Sequence, residues 1–208
     1  MFNRPFNFYN NVIGFLVFGI AAFTYLSTIE PTTSLWDTGE FIAASYKLQV
    51  VHPPGAPFFL MFNRLFAMLA GDPENVAMMV NASSGLVSAL TVLFLFWSIT
   101  ALSRRIFNFR ANNVPNEKIF PIIASGVVGA LAFTWSDTFW FSAVEGEVYA
   151  LSISFMGAIF WLMFKWDERA DNPGNARWLI LIAFLIGLSM GVHLLSLLVT
   201  PALAFIYY

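Results

Sequence analysis

The sequence predicts an all-α fold: a polytopic transmembrane helical bundle of about six spanning helices, with interfacial amphipathic helices in the first outer loop. Three observations predict it. The 208 residues are 59% hydrophobic and only 11% charged, whereas soluble domains average about 45–50% apolar and about 25% charged. The excess forms apolar blocks near the roughly 20 residues that a spanning helix needs. Lys and Arg also divide unevenly between the segments that join these blocks, and that bias orients a chain across a membrane.

Residues 9–28 form the first block. Arg4 precedes it, but no small-residue cleavage pattern follows, so an uncleaved first helix is expected. Residues 29–57 are polar and hold Trp36, Asp37, Glu40, Lys47 and His52. Residues 58–70 are apolar but contain Asn63 and Arg64, and stop at Gly71-Asp72-Pro73. A long block covers 76–103, and a basic loop follows at 104–118. Further blocks are 119–135, 141–166, 178–192 and 194–208. The chain ends inside the last one, so residues 1–208 are expected to be the N-terminal transmembrane portion of a longer chain.

Segment 58–70 decides the topology. If it spans, Arg104, Arg105, Arg110 and Lys118 fall opposite the N-terminus. If it lies flat in the interface, Arg4, Arg104, Arg105, Arg110, Lys118, Lys165, Arg169 and Arg177 all share one side, leaving Lys47 and Arg64 on the other. Basic residues favour the cytoplasm, so the second arrangement is expected, with a cytoplasmic N-terminus and 29–75 as an outer loop. The net charge of -2 gives no basic surface for nucleic acid, and the lack of cysteine excludes disulfides, thiolate catalysis and zinc-thiolate sites. The 24 Phe residues and the frequent Trp read as lipid-facing bulk and interfacial anchors. Gly126, Gly129, Gly187 and Gly191 read as helix-packing positions.

Oriented by its basic residues, the chain puts Asp37, Glu40, His52, Glu145, Glu147 and His193 on the outer side. Ionisable groups beside a bilayer are costly and mark functional sites by default. Asp37 and Glu40, three apart in WDTGEF, share a helix face. They fit a general base or divalent-cation site, and equally a capping-box pair. His52 opens HPPGAP, where proline suits a helix start. It fits phosphate binding at a helix N-terminus or plain capping. Glu145 and Glu147, in VEGEVY, point to nearly opposite faces if that block is continuous helix, with Tyr149 one turn beyond Glu145. His193 sits between two apolar blocks, where a tight re-entrant turn also explains it.

Three stretches carry a resemblance: WDTGEFIAASYKLQVVHPPGAPFF at 36–59, AVEGEVYALS at 143–152 and GLSMGVHLL at 187–195. With the order of first helix, acidic outer loop, Pro-Pro interfacial helix and long second span, the chain resembles the GT-C superfamily of membrane glycosyltransferases. It is similar, over about residues 11–204, to a bacterial membrane family known only as a domain of unknown function and related to protein O-mannosyltransferases. The resemblance implies sugar transfer from a polyprenyl-phosphate carrier to an acceptor hydroxyl of a protein or glycan. It implies a bacterial inner-membrane location with the site on the outer face; whether a divalent metal takes part stays open. The first-loop acidic motif of such enzymes carries the catalytic carboxylate, which maps onto Asp37 with Glu40 close by. The relatives have adjacent acids; here Thr38 and Gly39 separate them, so either is a candidate base. HPPGAP implies that His52 lies near the acceptor or the carrier phosphate, and the second acidic site maps onto Glu145 or Glu147. Arg64, the only arginine on the outer side, reads as a phosphate partner or a snorkelling side chain. Tyr149 and His193 complete the expected substrate-binding set.

Two other classes fit an acidic membrane protein. An ion-coupled transporter also uses intramembrane carboxylates and histidines, but near the midplane. A non-catalytic subunit of an envelope assembly would need the motifs only for structure.

Overall fold

Apolar length and the breaks between blocks set the helices. The computed structural model of the protein describes residues 5–110 and 113–207; Arg4, one of the orienting residues, lies outside them. Among the described residues the order is α1 (Phe6–Ser27), α2 (Thr38–Lys47), α3 (Pro57–Met68), a 3₁₀ turn at Pro73–Asn75, α4 (Val76–Ile106), α5 (Asn116–Thr134), α6 (Asp137–Ala143), α7 (Val148–Asp167), α8 (Ala176–Ser189), a second 3₁₀ segment at Leu194–Val199, and α9 (Thr200–Tyr207). No strand occurs among them.

The 31-residue α4 is the axis of the bundle and packs against α1, α5 and α7. Small polar side chains, Asn81, Ser83, Ser84, Ser88 and Ser98, are buried, while Phe15, Phe23, Phe120 and Phe184 are exposed. This inverts the pattern of a water-soluble bundle. It suits lipid, where helices associate through small and polar contacts and apolar bulk faces outward. Gly126 shows the close approach: a Cβ there would lie 2.7 Å from Cγ2 of Thr100 on α4. Gly129 and Gly191 are similarly crowded, but nothing lies within 4 Å of a Cβ at Gly187, so the packing role expected there is absent.

Among the described residues, four helices are long and apolar enough to cross a membrane: Phe6–Ser27, Pro73–Ile106, Asn116–Thr134 and Val148–Asp167. The last two apolar blocks form shorter pieces among the described residues, so six spans are not shown. The 14 residues of α8 cover about 21 Å at 1.5 Å per residue, short of the roughly 30 Å hydrocarbon core. The final block breaks into a 3₁₀ segment and the 8-residue α9.

At 12 residues, α3 is shorter still. At its far end Ala67 packs with Val76 and Val80, at the start of α4, and with Ile42 of α2. Both ends of α3 therefore stay at the end of the bundle where α4 begins. Arg104, Arg105, Lys165 and Arg169 gather at the opposite end, at or just past the last turns of α4 and α7. There Arg104 pairs with Glu168 at 2.7 Å and Arg105 with Asp167 at 2.8 Å. Single cysteines placed at Asp72 and Asn108 are therefore expected to label from opposite sides of the membrane. Labelling of both from one side would reject this topology.

Candidate active site

The acidic first-loop motif does not cap its helix. Asp37 occupies the N-cap position of α2, yet its carboxylate accepts no capping hydrogen bond. Just before it, Trp36 has a φ of 65°, a left-handed conformation that is an outlier for so bulky a residue. Glu40 does not reach back to the helix start. Its Oε1 accepts the backbone N–H of His52 at 2.7 Å, and its Oε2 lies 2.7 Å from His52 Nδ1. The capping-box reading thus gives way to a Glu40–His52 clamp that ties α2 to the HPPGAP turn.

The hydrogen bond from His52 holds the Glu40 carboxyl below its ordinary range, and the same bond raises the imidazole. With Nδ1 donating to Glu40, Nε2 is left 4.0 Å from Oδ2 of Asp37. Among the described residues no hydrogen bond engages the Asp37 carboxylate. The ligand atoms of Asp37, Glu40 and His52 lie within 4.8 Å of one another. Two carboxylates and an imidazole could hold a divalent cation, at the loss of the Glu40–His52 hydrogen bond.

The second acidic motif departs from the continuous helix expected over 141–166. Helix ends at Ala143 and resumes at Val148, and residues 144–147 unwind between α6 and α7. The unwinding brings Glu145 and Glu147, both only 5% exposed, toward the same loop. Ser34 donates its hydroxyl to Glu145, and Thr38 donates to Glu147 at 3.1 Å. Burial pushes both carboxyls up, Glu147 to about 7, with Glu145 and Asp37 adding repulsion at Glu147. Gly146 permits the turn to sit on α4, since a Cβ there would be 3.0 Å from Asn81 Oδ1 and from Val80 Cγ1.

Asn81, fully buried on α4, donates to the backbone carbonyls of Glu30 at 2.7 Å and Thr32 at 2.8 Å. It fixes the start of the loop that carries Ser34 and Asp37. Asn81→Ala leaves two carbonyls without that donor. Such losses run about 1–3 kcal/mol each, so a clear drop in melting temperature is expected in a thermal unfolding assay; an unchanged melt would remove Asn81 from this role.

The third wall comes from the end of α8. The Phe58 N–H donates to the Gly191 carbonyl at 2.8 Å, docking the start of α3 beside His193. His193 Nδ1 accepts the Leu195 N–H at 3.0 Å, which leaves the ring proton on Nε2. The Tyr149 and His193 rings meet in a T-shaped contact at 5.7 Å between centroids.

Asp37, His52, Glu147, Tyr149 and His193 line one cleft of about 80 Å³. Glu40 stands behind His52, and Glu145 stands beside Glu147 on Ser34. Arg64 does not join them: its guanidinium donates to the Tyr46 carbonyl and lies 5.6 Å from the Tyr46 ring. Ser34, Thr38 and Asn81 were not singled out as site residues by the sequence. The one available signal was a polar Asn in an apolar helix, which reads as easily as a glycosylation sequon.

Residues 37–208 match the family model described as the Protein O-mannosyl-transferase TMEM260 N-terminal domain. The chain belongs to this family. The match begins at Asp37, so every residue of the cleft falls inside it. The chain is 28% identical over 174 residues to the mouse (Mus musculus) protein O-mannosyl-transferase TMEM260, covering 84% of this chain and 22% of that protein. It is 24% identical over 164 residues to the Dictyostelium discoideum protein O-mannosyl-transferase tmem260, covering 78% of this chain and 18% of that one. The chain thus spans about a fifth of the length of these relatives. No solved structure matches it.

Proposed function

We propose that this chain forms the membrane-embedded catalytic portion of a GT-C-type glycosyltransferase. It moves a sugar from a polyprenyl-phosphate carrier to a hydroxyl of an acceptor protein at the outer face of the membrane. The observation that carries this reading is the cleft itself. It gathers one carboxylate with no hydrogen-bonded partner among the described residues, two imidazoles and a buried high-pKa carboxyl at one end of a spanning bundle. The names of the relatives, both protein O-mannosyl-transferases, support mannose as the sugar and protein as the acceptor.

In this reading Asp37 is the general base. It takes the proton from the acceptor hydroxyl as that oxygen attacks the anomeric carbon, and the bond from that carbon to the phosphate oxygen breaks. The lipid phosphate leaves with the electron pair. His52 Nε2 lies 4.0 Å from the Asp37 carboxylate, and a raised imidazole pKa suits it to meet the phosphate. Glu40 is a positioning residue: it holds Nδ1 and directs Nε2 toward the cleft. Base catalysis contributes about 10²–10⁴-fold, so alignment of acceptor and donor and stabilisation of the departing phosphate must supply the rest. A carrier reading is disfavoured because the acids lie at one end of the bundle, whereas carriers bind near mid-membrane.

The test is a transfer assay on the whole protein in detergent or nanodiscs, with a Ser/Thr-containing acceptor peptide and labelled mannose supplied either on polyprenyl phosphate or on a nucleotide. Label is expected on the peptide from the lipid-linked donor only. Transfer directly from the nucleotide sugar would overturn the donor assignment, and no transfer from either would overturn the enzyme reading.

A further inference from the structure

A second polar cavity, of about 470 Å³, lies at the end of the bundle opposite the acidic cleft, between the first turns of α1 and the last turns of α4 and α7. We propose that it binds the phosphate-bearing headgroup of an anionic membrane lipid. Four cations line it, Arg104, Arg110, Lys165 and Arg169, against the single carboxylate of Glu168. The helix termini there, one N-terminal and two C-terminal, sum to only about half a negative charge, so the cations dominate the local field.

Arg104 makes this a built site and not a solvated rim. It is only 5% exposed, held by Glu168 at 2.7 Å and stacked 5.1 Å from the Phe6 ring. Among the described residues its Nε has no hydrogen-bond partner, and neither do two buried atoms of other lining residues, Trp97 Nε1 and Asn10 Oδ1. Buried donors are nearly always satisfied. Two unpartnered N–H groups beside four cations call for an acceptor-rich anion, and a phosphate ester has that chemistry.

The location favours a lipid as the source of that phosphate. The cavity sits where the ends of spanning helices meet the headgroup layer, with Trp97 and Trp161 stacked at 5.0 Å along its wall. Basic pockets between transmembrane helices bind anionic headgroups in this manner.

The experiment offers the whole protein equal amounts of phosphatidylglycerol and phosphatidylcholine in detergent and reads the bound lipid by native mass spectrometry. Preferential retention of phosphatidylglycerol is expected. The double variant Arg110→Gln/Arg169→Gln should lose about 30-fold of that preference, since each basic residue near an anionic headgroup contributes about fivefold. Melting temperature and sugar transfer should hold, because neither residue touches the acidic cleft. If the double variant fails to fold, Arg110→Gln alone should lose about fivefold. Equal retention of the two lipids, or a preference that neither variant changes, would overturn the proposal. So would thermal stabilisation by inorganic phosphate without any lipid preference, which would assign the cavity to a soluble phosphate ester.

Discussion

Asp37→Asn is expected to lower sugar transfer by about 10²–10⁴-fold, the usual contribution of a general base, with the protein still folded and inserted. Asn keeps the shape and one acceptor oxygen of Asp but cannot take a proton. The structure removes the competing explanation for such a loss. Asp37 makes no capping hydrogen bond, and its side chain is 59% exposed, so the substitution should change stability by no more than about 0.5 kcal/mol. Asn also caps nearly as well as Asp. Glu40 is the less suitable base because both of its oxygens are engaged by His52. The measurement is kcat together with the melting temperature of the same preparation. Near wild-type transfer in a well-folded variant would move the base to Glu147, the other carboxyl that lines the cleft.

What the sequence made legible is what depends on local pattern. Apolar length found the four long helices, and the short block holding Arg64 found an α3 that cannot cross. Two acidic motifs placed on one side by the basic residues alone do meet in one cleft. The failures share a cause, which is long-range contact. Apolar residues flank the VEGEVY break on both sides, so length alone joins α6 to α7. The turn opens because Gly146 fits against Val80 and Asn81, and because hydroxyls more than a hundred positions earlier, Ser34 and Thr38, receive the two carboxylates. The Asp37/Glu40 spacing satisfies a capping box and a catalytic pair equally well. Only the return of the chain at His52 decides what Glu40 does. Arg64 was read from its type and its side of the membrane; the Tyr46 carbonyl that occupies it cannot be seen in either.

Glu147→Gln is expected to stabilise the protein increasingly as pH rises from about 5 to 8. The sign follows from where the proton resides. Burial raises the Glu147 carboxyl from its ordinary 4.5 to about 7, so between those values the folded protein holds a proton that the unfolded chain has released. Stability therefore falls as pH rises through that window. Once the folded carboxyl has ionised, the loss approaches about 3 kcal/mol, from about 1.4 kcal/mol per pKa unit. Gln is neutral throughout and still accepts the Thr38 hydroxyl, so the variant lacks this decline. Melting curves at several pH values should show the two proteins converging below pH 5, separating progressively up to about pH 7 and holding a constant difference above it. Parallel curves would mean that Glu147 does not titrate in this window. The same ionisation places a negative charge next to Thr38, the residue after Asp37, in the cleft that must receive an anionic donor. Wild-type transfer should accordingly decline above pH 7, and in Glu147→Gln that decline should disappear. A wild-type rate that keeps rising past pH 8 would show that ionised Glu147 assists the reaction, and would recast it as a second base.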